Sequence, residues 1–203
     1  MGHPSAPEIS LILPVRNLQW RLVTIIEQLL DGLGDLTVRP SEVIIVDDAS
    51  DDATPEVAEE LARRFPQVRW LRNSRPLGLE AAGQAGLAAA RGELVFIQEA
   101  PQPVRIADLQ RLYSLAHDQQ LVAARAQSTP RPLPAPLLRR LRAWGSRLIS
   151  ADQPGPLVQA PAGLQMIRRR HAHALATGQA AARELELSRI MTTSYEPAQS
   201  LPF

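Results

Sequence analysis

The sequence EVIIVDDASDDAT, residues 42–54, joins a continuous apolar run to an acidic cluster, and it decides the fold class. The run 43–46 is apolar throughout, which is typical of a strand buried on both faces of a sheet. Four aspartates follow it within six residues: Asp47, Asp48, Asp51 and Asp52. The stretch therefore predicts a buried strand whose carboxyl end carries acidic groups.

Similar apolar runs recur along the first half of the chain and alternate with amphipathic segments. They predict strands at 8–14, 68–71 and 94–97, and helices at 18–33, 55–65 and 79–91. Gly32 and Gly34 are expected to end the first helix. This alternation predicts an α/β fold, in which a mostly parallel sheet carries helices on both faces. Ligands of such sheets bind beyond the carboxyl ends of the strands.

The second half of the chain is less regular. It predicts a helix at 106–121, short strands at 121–125 and 165–167, and a further helix at 180–191. Residues 128–136 are rich in proline, which favours a loop or linker.

The composition of the 203 residues narrows the classes of function. A net charge of +1 gives no support to binding of nucleic acid, and the absence of cysteine excludes disulfides and thiolate metal sites. The absence of lysine excludes Schiff-base chemistry by that residue. No apolar run is long enough to span a bilayer, and the first residues do not resemble a signal peptide. These features favour a cytoplasmic chain.

The acidic cluster has two interpretations. Side chains within residues 50–54 are suited to cap a helix that begins near Pro55, because acids and hydroxyls accept the free N–H groups of a first turn. Capping does not account for Asp47 and Asp48, which belong to the end of the strand, so we assign these two to a ligand site. Close like charges repel, and backbone amides, an arginine or a ligand must offset them.

Three motifs together resemble the family 2 glycosyltransferases, which have the GT-A fold. Residues 9–17, ISLILPVRN, resemble a strand closing in Pro-x-x-Asn-Glu, and residues 42–54 resemble one closing in Asp-Asp-Gly-Ser-x-Asp-Gly-Thr. Residues 78–93, GLEAAGQAGLAAARGE, resemble the family's Gly-rich helix start and the Arg-Gly-Glu before the fourth strand. Residues 159–170 resemble, more loosely, the acceptor-side Asp-x-x-Ser-Gly-Phe-Arg segment of the polyprenyl-phosphate sugar transferases.

The resemblance implies a pocket for a UDP- or GDP-linked sugar. An ionised carboxylate, of Asp48 or else of Asp47, would accept a hydrogen bond from an imide N–H of the base, because it is purely an acceptor. This assignment expects Asp48 to face a cleft beside Pro14. The implied nucleotide-binding residues are Pro14, Val15, Asn17, Asp47, Asp48 and Gly78.

The departures from the family pattern fall on the metal site. The family closes its fourth strand with Asp-x-Asp, which holds a divalent cation, whereas this chain has Glu99-Ala100-Pro101. Glu99 keeps one carboxylate and Pro101 offers no side-chain ligand, so we expect the Mg²⁺ or Mn²⁺ site to be weak or absent. Without a cation, Arg16 and Arg75 are the candidates to offset the charge of the phosphates. The alternative, which is the commoner case for any single arginine, is that each is a solvated surface residue.

A basic segment follows the proline-rich stretch. Residues 131–149 contain five arginines and no acid, and Arg139 and Arg140 are candidate contacts to phosphate or membrane. A basic amphipathic helix at 137–149 is suited to lie on the anionic inner face of a membrane. The alternative is a helix that packs its leucines on the domain and leaves its arginines in solvent.

The expected organisation is a single GT-A-like domain over 1–203, with a nucleotide-binding half at 9–127 and an acceptor-side half at 128–203. The resemblance implies transfer of a sugar to a lipid-phosphate or saccharide acceptor, with an impaired metal site and no assignable catalytic base. The alternative is an inactive relative that serves as a binding or scaffold module. A flavodoxin-like or Rossmann-like domain is a weaker third interpretation, because no Gly-x-Gly-x-x-Gly follows the first strand.

Overall fold

The computed structural model describes residues 6–98, 104–118, 121–127, 163–171 and 189–194. This part of the chain forms seven strands and four helices. In chain order they are β1 Ile9–Val15, α1 Leu22–Leu36, β2 Ser41–Asp47, α2 Thr54–Arg64, β3 Val68–Arg72, α3 Leu79–Ala89, β4 Leu94–Gln98, α4 Ile106–Leu115, β5 Leu121–Gln127, β6 Gly163–Arg168 and β7 Arg189–Ser194.

The strands form one sheet in the order β3-β2-β1-β4-β6-β5-β7. Four of the six pairings are parallel, and the two that involve β6 are antiparallel. The prediction of a mostly parallel sheet is therefore confirmed. The register aligns Val15 with Asp47 and Asp47 with Arg72, so β1, β2 and β3 end at the same level.

Helices cover both faces of the sheet, as predicted. Alternate residues of β1 point to opposite faces, because successive side chains of a strand alternate. Leu11 and Leu13 pack in a core with residues of α1, α2 and α4, whereas Ile12 packs with α3. The apolar character of β1 and β2 throughout follows from this burial on both sides.

The end of α1 differs from the prediction. The helix runs through Gly32 and Gly34 to Leu36, so neither glycine stops it. A Cβ on Gly32 would lie 2.4 Å from Ile106 Cδ1, which indicates that this glycine allows α4 to approach α1. Gly32 is therefore needed for helix packing. In the sequence, a glycine that serves packing looks the same as one that ends a helix.

Two further predictions are corrected. Residues 189–191, expected to end a helix, belong to β7, which pairs in parallel with β5. α4 ends at Leu115, short of residue 121, and Arg168 Nη2 donates to the carbonyl of Asp118 at 2.9 Å just beyond it. Both errors arise because pairing and capping partners distant in sequence outweigh local helix propensity. The rest of the predicted 180–191 helix lies outside the described residues.

In the described ranges, no helix combines the length and the apolar character needed to cross a bilayer. The proline-rich stretch 128–136 and the basic segment 137–149 lie outside those ranges.

Candidate functional site

The carboxyl ends of β1, β2 and β3 meet at one edge of the sheet, and backbone hydrogen bonds continue past the strands there. Asp48 N–H donates to the carbonyl of Val15 at 2.9 Å, and Asn73 N–H donates to the carbonyl of Asp47 at 2.9 Å. The residue after each strand is therefore fixed by its neighbouring strand. This ordering places the first two aspartates of the acidic cluster in the interior of the edge.

Asp47 is fully buried, and its carboxylate is bonded to a serine and an arginine of the same chain. Its Oδ1 accepts the backbone N–H of Ser50 at 3.2 Å and also the Ser50 hydroxyl. Its Oδ2 lies 3.2 Å from Arg72 Nε, and Arg72 Nη2 also donates to the carbonyl of Ser50 at 3.2 Å. The ion pair and the serine offset the burial of this charge.

Asp48 binds the segment that connects β3 to α3. Its Oδ1 accepts the Asn73 side-chain amide at 2.8 Å and the Leu77 backbone N–H at 2.9 Å. Its Oδ2 accepts the Gly78 backbone N–H at 2.7 Å. One carboxylate thus holds both ends of the segment 73–78, which we call the β3–α3 loop.

Asp48 is 2% exposed, so the expectation that it faces an open cleft beside Pro14 is not met. Burial favours the neutral form and would raise its pKa, but the hydrogen bonds from Leu77, Asn73 and Gly78 and the charge of Arg16 outweigh burial. The pKa of Asp48 consequently lies below its ordinary value, and the group is ionised at neutral pH. A carboxylate has about four acceptor positions, of which the β3–α3 loop uses three.

Hydrogen bonds join the segment after β1 to the segment after β2. Asn17 N–H donates to Ser50 Oγ at 2.9 Å, and Asp51 N–H donates to Asn17 Oδ1 at 2.9 Å. The Leu18 N–H donates to Thr54 Oγ1 at 2.7 Å, which adds a further link. Five such bonds between residues 17–19 and 50–54 fix the edge of the sheet around Asp47 and Asp48.

Two residues of these hydrogen-bonded segments have left-handed backbone conformations. Asn17 has a φ of 54° and Ala49 a φ of 53°. Asparagine tolerates this region, whereas an alanine there is strained by its Cβ. Backbone strain of this kind is found at functional sites.

The capping interpretation holds for Asp52, although the N-cap residue of α2 is Ala53, which makes no side-chain cap. Asp52 Oδ1 accepts the N–H of Thr54, the first residue of α2, at 2.9 Å. Burial would raise the pKa of Asp52, but hydrogen bonds from Thr54 and Gln19 lower it below its ordinary value. Asp51 is exposed and lies 3.4 Å from Arg16 Nη2. Backbone amides and arginines therefore offset the four charges, as the sequence required.

The predicted nucleotide-binding residues come together at this edge, but they differ in exposure. Pro14, Val15 and the two aspartates of the strand end are buried, whereas Asn17 and Gly78 are exposed. Gly78 precedes α3 with a φ of 90°, which glycine adopts without a steric penalty, and its N–H donates to Asp48. Exposed Arg16 lies near Asp48, and exposed Arg75 lies in the β3–α3 loop.

Three predicted residues, Glu99, Arg139 and Arg140, lie outside the described residues. In the part of the chain that the structure describes, no three acidic or histidine side chains group in a way that could hold a metal ion.

Sequence reasoning missed the residues that hold the aspartates. Arg72 ends β3 and Asn73 follows it, at the same sheet edge as Asp47 and Asp48. Both are polar residues at the carboxyl end of a predicted strand, and the position alone was the available signal.

The sequence of the chain also matches a known protein family. The family model described as glycosyl transferase family 2 matches residues 10–174. The chain belongs to this family. Its membership confirms the resemblance carried by the three motifs and overturns the flavodoxin-like or Rossmann-like interpretation.

Over the matched part, curated relatives are about one third identical in sequence to this family 2 chain. An uncharacterised glycosyltransferase of Bacillus subtilis, EpsJ, is 32% identical over 115 residues, which are 57% of this chain and 32% of the relative. A dolichyl-phosphate β-glucosyltransferase of Trichomonas vaginalis is 32% identical over 113 residues, which are 54% of this chain and 35% of the relative. The chain thus spans about a third of the length of these relatives.

Solved structures confirm the GT-A fold. A mannosyltransferase from Pyrobaculum calidifontis in complex with GDP-Man and Mn²⁺ superposes with a TM-score of 0.55 at 21% identity, over 96% of this chain and 57% of that one. Glucosyl-3-phosphoglycerate synthase from Mycobacterium tuberculosis in complex with UDP gives a TM-score of 0.54 at 18% identity, over 98% of this chain and 74% of that one. At these identities the likeness concerns the fold.

Proposed function

We propose that this chain is the nucleotide-sugar-binding domain of a family 2 glycosyltransferase, and that the nucleotide binds at the carboxyl edge of β1, β2 and β3. The observation that carries the proposal is the Asp48 carboxylate, which is buried, ionised and aligned by three protein donors at this edge. A preorganised carboxylate beside exposed Asn17 suits recognition of a base, since open parallel sheets bind ligands here.

The base would be one that presents an N–H group. Asp48 has about one acceptor position left, and because Asp48 is 2% exposed, a base reaches it only after local opening of this edge of the sheet. A carboxylate in that place accepts an N–H and repels a ring nitrogen that bears a lone pair. Uracil and guanine present such an N–H on the edge that pairs, whereas cytosine and adenine present a bare nitrogen. UDP- and GDP-linked sugars are therefore the proposed ligands.

The diphosphate would be held by arginines, with a weak or absent cation. Arg16 and Arg75 are exposed at the edge and carry the positive charge that a leaving nucleoside diphosphate requires. Glu99 is the one carboxylate in the place of the family's Asp-x-Asp, and Pro101 offers no ligand atom there. If a Mg²⁺ or Mn²⁺ ion binds, Glu99 and the phosphates would hold it, and the ion would supply charge stabilisation of the leaving group.

The proposed reaction is displacement at the sugar. An acceptor oxygen forms a bond to the anomeric carbon, the bond from that carbon to the diphosphate oxygen breaks, and the nucleoside diphosphate leaves. An ionised phosphate acceptor carries no proton on the attacking oxygen, whereas a saccharide hydroxyl would release its proton to water. A lipid-phosphate acceptor is supported by the likeness to a dolichyl-phosphate β-glucosyltransferase and by the basic segment 137–149, with Arg139 and Arg140, which suits an anionic membrane surface. A saccharide acceptor is the other candidate.

A thermal-shift titration with nucleotides tests the binding. UDP or GDP should raise the melting temperature, because a ligand of the folded state stabilises it, while CDP and ADP at the same concentration should shift it less. No shift with any of the four would overturn the proposed function. Asp48→Ala should abolish the shift. Circular dichroism of that variant checks that it is folded.

A second candidate function is a catalytically inactive member that keeps nucleotide binding as a binding or scaffold module. The replacement of the second aspartate of Asp-x-Asp by Pro101 favours it. The titration repeated with Mn²⁺ and Mg²⁺, together with a sugar-release assay, separates the two. A cation-dependent gain in affinity and turnover of UDP- or GDP-sugar would establish the enzyme, whereas binding without either would establish the module.

A further inference from the structure

The β3–α3 loop is held at both of its ends by a single side chain. Asp48 accepts hydrogen bonds from Asn73 at the start of the loop and from Leu77 and Gly78 at its end. Asn73 is bonded twice, because its backbone N–H also donates to the carbonyl of Asp47. The residues between these anchors, 74–76, are exposed, and they include Arg75.

Arg75 differs from the other arginines at this edge. Arg16 lies against Asp51, and Arg72 pairs with Asp47. Arg75 is exposed and lies in no ion pair among the described residues. A positive charge that is unpaired and carried by an anchored loop is available to an anionic ligand at little conformational cost.

We infer that Asp48 and Asn73 form a clamp that fixes the β3–α3 loop so that Arg75 binds the diphosphate of the nucleotide. In this role Asn73 is a positioning residue, since it acts through Asp48 and through the loop. The inference rests on the proposed function, because it assigns the part of the site that holds the phosphates. It adds a second task to the Asp48 carboxylate, whose remaining acceptor position serves the base.

The test measures the dissociation constants of UDP and of uridine by calorimetry, with GDP and guanosine used instead if GDP is the tighter ligand. Asn73→Ala and Arg75→Gln should each weaken UDP about threefold to tenfold. Arg75→Gln should leave uridine unchanged, because uridine has no phosphate, and Asn73→Ala should weaken uridine by less than UDP, because Leu77 and Gly78 still hold Asp48. The double variant should bind UDP as weakly as the weaker single variant, because both changes remove the same contact. Ser74→Ala, an exposed residue of the same loop, is the matched control and should bind as the wild type does.

Asn73→Asp supplies a readout that loss of structure alone would not produce. It places a second carboxylate against Asp48, and one of two close carboxylates has a raised pKa. At pH 8 the two repel and UDP binding should be weak; near pH 5 the protonated acid donates to Asp48 in place of the amide, and binding should recover. Asn73→Ala should show no such recovery. The other charged groups around Asp48 are Asp47, Arg72 and Arg16, which are common to all variants.

Two results would overturn the inference. One is an equal loss of UDP and uridine affinity in Asn73→Ala, which would assign Asn73 to the base part of the site. The other is multiplication of the two single effects in the double variant, which would show that Asn73 and Arg75 act independently. If the wild type binds no nucleotide, both the proposed function and the clamp are wrong. If the wild type binds nucleotide and the variants do not follow this pattern, only the clamp is wrong.

Discussion

The carboxylate of Asp48 accepts the backbone N–H of Gly78 at 2.7 Å, across 30 residues of sequence. This bond joins the end of β2 to the residue that precedes α3. Gly78 has a φ of 90°, a conformation that glycine adopts without a steric penalty, and α3 begins at the next residue. The position of α3 and the ionisation of Asp48 are therefore linked.

Replacing the Asp48 carboxylate by an amide should destabilise the fold. In Asp48→Asn an NH₂ group takes the place of one acceptor oxygen and faces an N–H donor, so a buried donor is left without a partner. We expect a loss of about 1–3 kcal/mol in the free energy of unfolding, measured by urea denaturation. Asp51→Asn is the control, because Asp51 is exposed and makes only a surface ion pair, and its loss should stay within about 1 kcal/mol.

The dependence of stability on pH should change in the same variant. The pKa of Asp48 in the folded protein lies below the ordinary aspartate value of 3.8. Its contribution to the free energy of unfolding is therefore fully present above pH 3.8 and is lost as the pH falls through the folded-state pKa. The wild type should lose stability in acid, where Glu42 and Asp52, whose pKa values are also lowered, contribute as well. Asp48→Asn should lose less between pH 5 and about pH 3. Parallel curves for the two proteins would contradict the assignment of the pKa shift.

Ala49→Gly should stabilise the protein. Ala49 has a φ of 53°, where its Cβ is strained and glycine is not. The relief of about 1–2 kcal/mol is partly offset by the larger entropy of glycine in the unfolded chain, which leaves a net gain of up to about 1 kcal/mol. The same substitution at Ala88, an exposed residue inside α3, should lower the melting temperature. A fall in melting temperature for both would contradict the strain at Ala49.

Gly86→Ala and Gly34→Ala should have opposite effects, although both glycines lie in helices. A Cβ on Gly86 would lie 2.3 Å from Ile12 Cγ2, and Ile12 is fully buried in the sheet, so α3 would be forced away from the sheet. We expect a loss of about 1–3 kcal/mol. A Cβ on Gly34 meets nothing within 4 Å, so alanine should gain up to about 1 kcal/mol from helix propensity. Denaturant titration of the two variants measures both.

The sequence predicted much of the fold because its signals are local. The apolar runs of β1 and β2 are buried on both faces, and burial on both faces requires an apolar residue at every position. Three motifs, at residues 9–17, 42–54 and 78–93, together indicated the family, which the family model confirmed. Gly32 shows the limit of such signals, because a glycine that admits a neighbouring helix cannot be told in sequence from one that ends a helix.

The sequence by itself thus determined the α/β class, the edge where the polar residues gather and the family. Only the tertiary structure decided what each acidic group does: Asp47 pairs with Arg72, Asp48 holds the β3–α3 loop, and Asp52 caps α2. Four carboxylates within six residues look alike in sequence, since all are acceptors of the same charge. Their roles differ because the partners come from other strands and loops, and only folding sets the distance to those partners.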